Sequence, residues 1–359
     1  MNMVSQSAAD VISWYVIAPN FPFRNQFKSG MKEILSVELA TRAKPLVWTE
    51  TVLLAVINAV AFFGNLLTCY AVYRNQTLRT LSNMFVIALG VSDILMSIWC
   101  MPFSVATLFH GQWIFGESFC QFHGFGALTF GLISLQTMGL IAVSRYNCVV
   151  KPEKYAVLFK KQRALLYIAV VWCVALAGSV PPFFFNNGGF EFQPGKAMCL
   201  CAFEGNIAYT VFIECAYFAA PLIIITICYV KVFWTVSKSN RLLSNANDLQ
   251  QLRANVKEAI VTKTLAAVMV GFICCWLPVS VMDNIDAARG EHTFPRPAYI
   301  TYAFLAYLSS TINPFIYAAT NMKLRREYKK ILSKAIPCFR WDLAKRQDSK
   351  LCLIGVFHQ

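Results

Sequence analysis

Charge is scarce in this chain. Only 14% of its 359 residues are Asp, Glu, Lys or Arg, against about a quarter in soluble proteins. With 57% hydrophobic residues beside that deficit, an ordinary soluble domain is excluded and a lipid bilayer is the expected solvent. The 13 cysteines contain no C-x-x-C pair, so no metal site is expected. Most of them lie in apolar runs, where cysteine behaves as a small hydrophobe. Residues 1–46 hold no N-x-[ST] acceptor and no compact apolar run of signal-peptide type, so the first span is expected to act as its own uncleaved signal. The single acceptor match, Asn75-Gln76-Thr77, falls in a loop read as cytosolic and is taken as chance. No internal repeat of transporter type is visible.

What is present is a series of long apolar runs. A helix needs about 20 such residues to cross the hydrocarbon core. Seven runs qualify: 51–73, 81–108, 119–143, 164–185, 206–230, 264–282 and 298–320. They are too long and unbroken for barrel strands, which alternate with period two. The expected fold is all-α: a seven-transmembrane helix bundle at 47–320, after an extracellular N-terminal segment at 1–46. Most lysines and arginines fall in loops that share one side if the N-terminus is outside. The net charge of +14 then marks a cytoplasmic face beside anionic lipid, not a nucleic-acid partner.

Polar residues inside such spans are costly and raise functional questions. Asn65, Asp93, Ser134, Ser309 and Asn313 are read as a hydrated polar cluster around Asp93, whose carboxylate and oxygen neighbours suit a sodium ion. The competing reading is interhelical hydrogen bonding that holds the bundle together. Cys120 and Arg145 stand 25 residues apart, about 37 Å along a helix, so they mark opposite mouths of the third span. The outer face is oxidising, and a disulfide from Cys120 to the loop "MCLCAF" is expected. Cys201 is favoured as its partner, with Cys199 left open. Pro221, Pro278 and Pro314 sit in late spans, where proline frees a carbonyl and kinks the helix. Trp276 flanks one such hinge. Glu258 lies twenty residues before Pro278, about 30 Å, which puts it level with Arg145.

These residues resemble the rhodopsin-like (class A) G-protein-coupled receptors, over roughly 47–335. The motifs are "GN" (64–65), "LGVSD" (89–93), Trp113 with Cys120, "SRY" (144–146), Trp172, Pro221 with Tyr229, "FICCWLP" (272–278) and "NPFIY" (313–317). After them, "NMKLRREYKKIL" reads as a short amphipathic surface helix at 321–335. A cytoplasmic tail follows at 336–359, where Cys338 is a candidate for lipidation. The resemblance implies a plasma-membrane receptor, not an enzyme. Its partners would be an extracellular small-molecule or peptide ligand, membrane lipid and a heterotrimeric G protein. It implies that Ser144, Arg145, Tyr146, Tyr229, Glu258 and Tyr317 restrain the inactive state and meet the G protein. It implies an activation switch of Phe272, Trp276, Pro278, Asn313 and Pro314. Asn65, Asp93, Ser134, Ser309 and Asn313 would form a sodium pocket.

Two departures stand out. Ser144 replaces the acid that precedes the arginine in most relatives, which shifts the expected restraint to Glu258. Leu324 replaces a phenylalanine of the surface helix. Within the family the apolar spans look most like opsins and melatonin-receptor-like members. The seventh span has no lysine, and Tyr307 stands where a retinal Schiff base would need one, which argues against retinal. Ala127 stands where amine receptors carry an acid. The remaining ligand candidates are His123, Glu214, Trp276, Asp283 and Asp286, beside Ala127 and Tyr307. They favour a cationic or hydrogen-bond-donating ligand, although two aspartates at a helix end are also consistent with solvation. The alternatives are a light sensor that holds retinal without a Schiff base, and a transporter or channel.

Overall fold

The computed structural model describes residues 24–185, 189–203, 207–246 and 249–335, and the side chains of 30–185, 189–203, 207–239 and 262–334. The expectations for Cys338, for the tail and for the side chain of Glu258 lie outside these residues. The chain opens with α1 (Arg24–Ala40) and α2 (Lys44–Arg74). The second crossing is α3 (Leu81–Trp99) with α4 (Met101–His110), and the third is α5 (Glu117–Val150). A short α6 (Pro152–Leu158) leads to α7 (Lys161–Ser179). Strands β1 (Phe190–Gln193) and β2 (Met198–Cys201) form an antiparallel hairpin. The fifth crossing is α8 (Ile207–Phe212), a π-helical turn at Ile213–Ala219, and α9 (Ala220–Ala246). Then come α10 (Leu249–Arg289), α11 (Arg296–Thr311), α12 (Asn313–Thr320) and α13 (Met322–Ala335).

Among the described residues, six helices are long and apolar enough to cross a membrane. The seventh crossing falls short only because it is split: α11 ends and α12 begins on either side of Ile312. The multi-pass, all-α bundle expected from the sequence is thus present. Large apolar side chains such as Trp48, Phe63, Ile223 and Trp234 point outward. Such a surface is stable against lipid and would be a liability in water.

Two of the proline breaks are repaired by a neighbour. Pro314 has no N–H, so the carbonyl four residues earlier loses its helical donor. That carbonyl is Ser310 O, and Asn65 Nδ2 donates to it at 2.9 Å. Gly64 makes the approach feasible, because a Cβ there would lie 2.9 Å from Pro314 Cγ. The "GN" pair therefore serves the kink in the seventh crossing. Pro221 frees Tyr217 O in the same way, and Gln136 Nε2 donates to it at 3.3 Å. The π-helical turn just before Pro221 redirects this part of the fifth crossing.

The N-terminal segment differs from expectation. It contains α1, and the first crossing starts at Lys44 rather than 47. Composition alone missed α1 because it is polar; among its described side chains, Leu35 and Leu39 are buried. It is tied down by charge. Lys32 Nζ meets Glu191 Oε2 at 2.6 Å, and Glu50 pairs with both Arg42 and Arg296. At the opposite end, α13 seats Leu324 in the core at 1% exposure. A smaller residue in place of phenylalanine is thus still a buried anchor. The hydroxyls of Tyr328 and Thr68 share a hydrogen bond at 2.7 Å.

Candidate functional site

An apolar pocket lies between the third, fifth, sixth and seventh crossings, under the hairpin. Leu128, Leu132, Phe218, Phe272 and Val279 line it, Met198 and Leu200 of β2 cover it, and Trp276 lies against Gly131. Five of the seven ligand candidates line it: Ala127, Glu214, Trp276, Asp283 and Tyr307. Two do not. His123 is fully buried, with Nδ1 3.3 Å from Cys199 O and Nε2 3.1 Å from Cys100 O. Its ring edge packs against Trp113 at 5.1 Å. Asp286 is also buried and accepts from Tyr299 Oη at 2.7 Å and Thr293 N at 3.0 Å. Both engage protein groups and neither lines this pocket. The alternative of a solvated end for the two aspartates fails as well, since Asp283 and Asp286 are both buried.

The pocket's polar groups form three sets. Tyr307 Oη shares a hydrogen bond with Ser104 at 2.7 Å. Ser280 donates to Glu214 Oε2 at 2.6 Å. Asp283 accepts from Tyr302 Oη at 2.7 Å and from Lys196 Nζ at 2.9 Å. Lys196 is the residue the sequence reading missed. It lies on the turn between β1 and β2, it is 3% exposed, and its ammonium also sits 4.1 Å from the Tyr302 ring centre. The turn reaches this depth because Gly195 presses on Tyr299, where a Cβ would come within 2.8 Å. A lone lysine in a polar loop gives no signal of burial. Only the Gly195 beside it hinted at a close approach.

The same hairpin corrects the disulfide. Cys120 is bonded to Cys199, not to the favoured Cys201. Both cysteines face the same side of β2, one strand repeat apart, or about 6.6 Å. The register against α5 decides between them. His123 stands one turn from Cys120 and holds the Cys199 carbonyl. Gln121 brackets the backbone of Phe190, donating to its carbonyl at 2.6 Å and accepting from its N–H at 3.2 Å. Cys201 is carried past Cys120 into an apolar cluster with Leu132, Ile133, Ala175 and Tyr209.

Below the pocket lies the acidic cluster. Asp93 is 1% exposed. Asn313 Nδ2 donates to it at 2.8 Å and Ser134 Oγ at 3.5 Å. Ser309, expected in this cluster, donates instead to Ala306 O at 2.6 Å. Asn65 lies at the edge of the cluster and serves Ser310 O. Asn65 Oδ1 and Asn313 Oδ1 are buried acceptors without a donor. With the carboxylate and the hydroxyls they make an oxygen-rich donor set of the kind a hard cation requires. Among the described residues no group of three or more His, Cys, Asp or Glu is placed to hold a metal, so any ion here would rely on neutral oxygens beside one acid.

From the pocket floor, Trp276 stacks on Phe272 with centres 5.5 Å apart, one turn along α10 and on the bundle side of Pro278. At the far end of α5, Arg145 and Ser144 are both buried. Arg145 Nη2 donates to Ser82 Oγ of the second crossing, a contact absent from the sequence reading. Tyr146 lies under the ammonium groups of Lys151 at 5.6 Å and Lys231 at 5.8 Å. Tyr229 and Tyr317 are buried in the same core cluster. The Tyr317 hydroxyl is itself buried there.

The family pattern described as "7 transmembrane receptor (rhodopsin family)" matches residues 64–317. Melatonin receptor type 1B of Rattus norvegicus is 30% identical over 292 residues, covering 80% of this chain and 79% of that receptor. Melanopsin of Homo sapiens is 31% identical over 304 residues, covering 81% of this chain. The chain spans 62% of that melanopsin's length. Melatonin receptor type 1A of Gallus gallus is 30% identical over 282 residues, covering 76% of this chain and 77% of that receptor. The chain belongs to the rhodopsin family of seven-transmembrane receptors.

Proposed function

We propose that this receptor sits in the plasma membrane with its N-terminus outside and converts binding of an extracellular ligand into activation of a heterotrimeric G protein. The observation that carries this reading is the placing of Trp276. It lines the pocket and stacks on Phe272, just before the proline that interrupts the hydrogen bonds of α10. A ligand that moves the indole therefore biases the sixth crossing, and its reach is set by its differential affinity for the two states. On this reading the inner end of that crossing separates from α5 near Arg145 and opens a G-protein cleft. In cells with G-protein sensors, Arg145→Ala abolishes signalling at unchanged surface expression. Full signalling by this variant would end the assigned role.

Retinal is not proposed as a cofactor. The Tyr307 phenol cannot form an imine, and its hydroxyl is engaged by Ser104. A sodium ion at Asp93 is proposed, on the strength of the two amide oxygens without donors. Its occupation favours the compact arrangement in which Asn313 reaches across to Asp93. At about a hundred times its dissociation constant, such an ion adds about 2.7 kcal/mol of stability. Replacing choline with sodium should raise the unfolding midpoint of the wild-type receptor and leave Asp93→Asn unmoved. Equal shifts in both proteins would remove the ion from this site.

A further inference from the structure

We propose that the pocket takes a monocationic ligand with an apolar body, held by Glu214 rather than by the third crossing. This deepens, and rests on, the reading of the chain as a ligand-binding receptor. Two carboxylates line the pocket, Glu214 and Asp283, and no lysine, arginine or histidine does. They are not equivalent. Asp283 already holds the ammonium of Lys196 at 2.9 Å, brought from outside the lining by the hairpin. Glu214 has hydroxyl and amide neighbours, Ser280 at 2.6 Å and Asn284, but no cation within ion-pair distance among the described residues. The chain thus neutralises one acid and leaves the other open to the cavity.

Charge and shape then define the occupant. A carboxylate facing an apolar cavity is costly unless a cation or a set of donors meets it. Ser280 fixes the carboxylate from the α10 side, where Asn284 Nδ2 in turn donates to the Ser280 carbonyl at 2.9 Å, which leaves the remaining carboxylate lone pairs to the cavity. The walls next to it are Leu128, Leu132, Phe218 and Phe272, so the rest of the ligand is hydrocarbon or aromatic. A second cationic group would find Asp283 already paired. An anion would meet Glu214 with no free positive group in the lining. The amine reading that Ala127 excludes at the third crossing is therefore restored on the opposite wall, between the fifth and sixth crossings. A cation there pulls on Ser280, one turn from Trp276, which links its charge to the sixth crossing.

The test uses the purified full-length receptor in lipid nanodiscs, with phenethylamine and tryptamine as probes and their alcohols, phenethyl alcohol and tryptophol, as neutral matches. The amines raise the unfolding midpoint in a dose-dependent way and the alcohols do not. Glu214→Gln weakens amine binding by roughly 10- to 100-fold, the range of a hydrogen bond to a charged group. Glu214→Asp keeps the preference for amine over alcohol, which separates loss of charge from loss of fold. Equal stabilisation by alcohols and amines, no stabilisation by either amine, or an amine effect indifferent to Glu214→Gln overturns the proposal. Arg145-dependent G-protein activation is measured in the same preparation. If it persists without amine binding, the receptor reading stands and the ligand class falls. If amines bind and no G protein is activated, the ligand class stands and the receptor reading falls.

Discussion

Lys196→Met lowers the stability of the receptor by about 3–5 kcal/mol, the cost of stripping one partner from a buried ion pair. Methionine retains the length of the apolar stem, so the loss isolates the charge. Lys196 and Asp283 are 3% and 7% exposed, so bulk solvent does not make good the missing ammonium. Tyr302 alone cannot hold the carboxylate. The double variant Lys196→Met with Asp283→Leu recovers most of the loss, because a buried pair exchanged for apolar groups of similar volume is often near neutral. Unfolding midpoints of the four proteins give the coupling directly. A loss below about 1 kcal/mol in the single variant is what an exposed pair would show, and it would contradict the burial of this one. Partial opening of the hairpin is the structural counterpart, since Lys196 anchors the β1–β2 turn to the sixth crossing.

Cys199→Ala costs about 2–5 kcal/mol, the usual loss for a native disulfide, and it sharply reduces the receptor at the cell surface. Cys201→Ala costs less and leaves the crosslink intact. Mass spectrometry of unreduced peptides reads the pairing itself. Finding Cys120 joined to Cys201 in the wild type, or the bond lost in Cys201→Ala and kept in Cys199→Ala, would reverse the assignment. The two variants differ by one step along a strand, yet one lies opposite Cys120 and the other fills a cluster with Ile133 and Tyr209. Both predictions concern the hairpin, which covers the pocket and closes two of its wall interactions at once.

The sequence by itself determined the crossings, the order of the motifs and the end of the molecule on which Arg145 lies. These depend on local properties: the length of an apolar run, the 1.5 Å rise per helical residue and the missing N–H of proline. It also singled out Asp93 and Asn313, which the structure brings into hydrogen-bond contact, and Glu214 and Trp276, which line the pocket, since a polar group in a bilayer needs a partner wherever that partner is. What it could not determine is which partner. The tertiary structure chose Cys199 over Cys201, and Ser82 as a contact of Arg145. It gave Asn65 to a carbonyl freed by Pro314, and it sent Lys196 from a polar loop into the bundle. These choices turn on phase around a helix, register along a strand and the seating of one element on another. Phase and register are set by kinks and by the seating of the hairpin. Those are properties of elements far apart in the chain, and no local pattern encodes them.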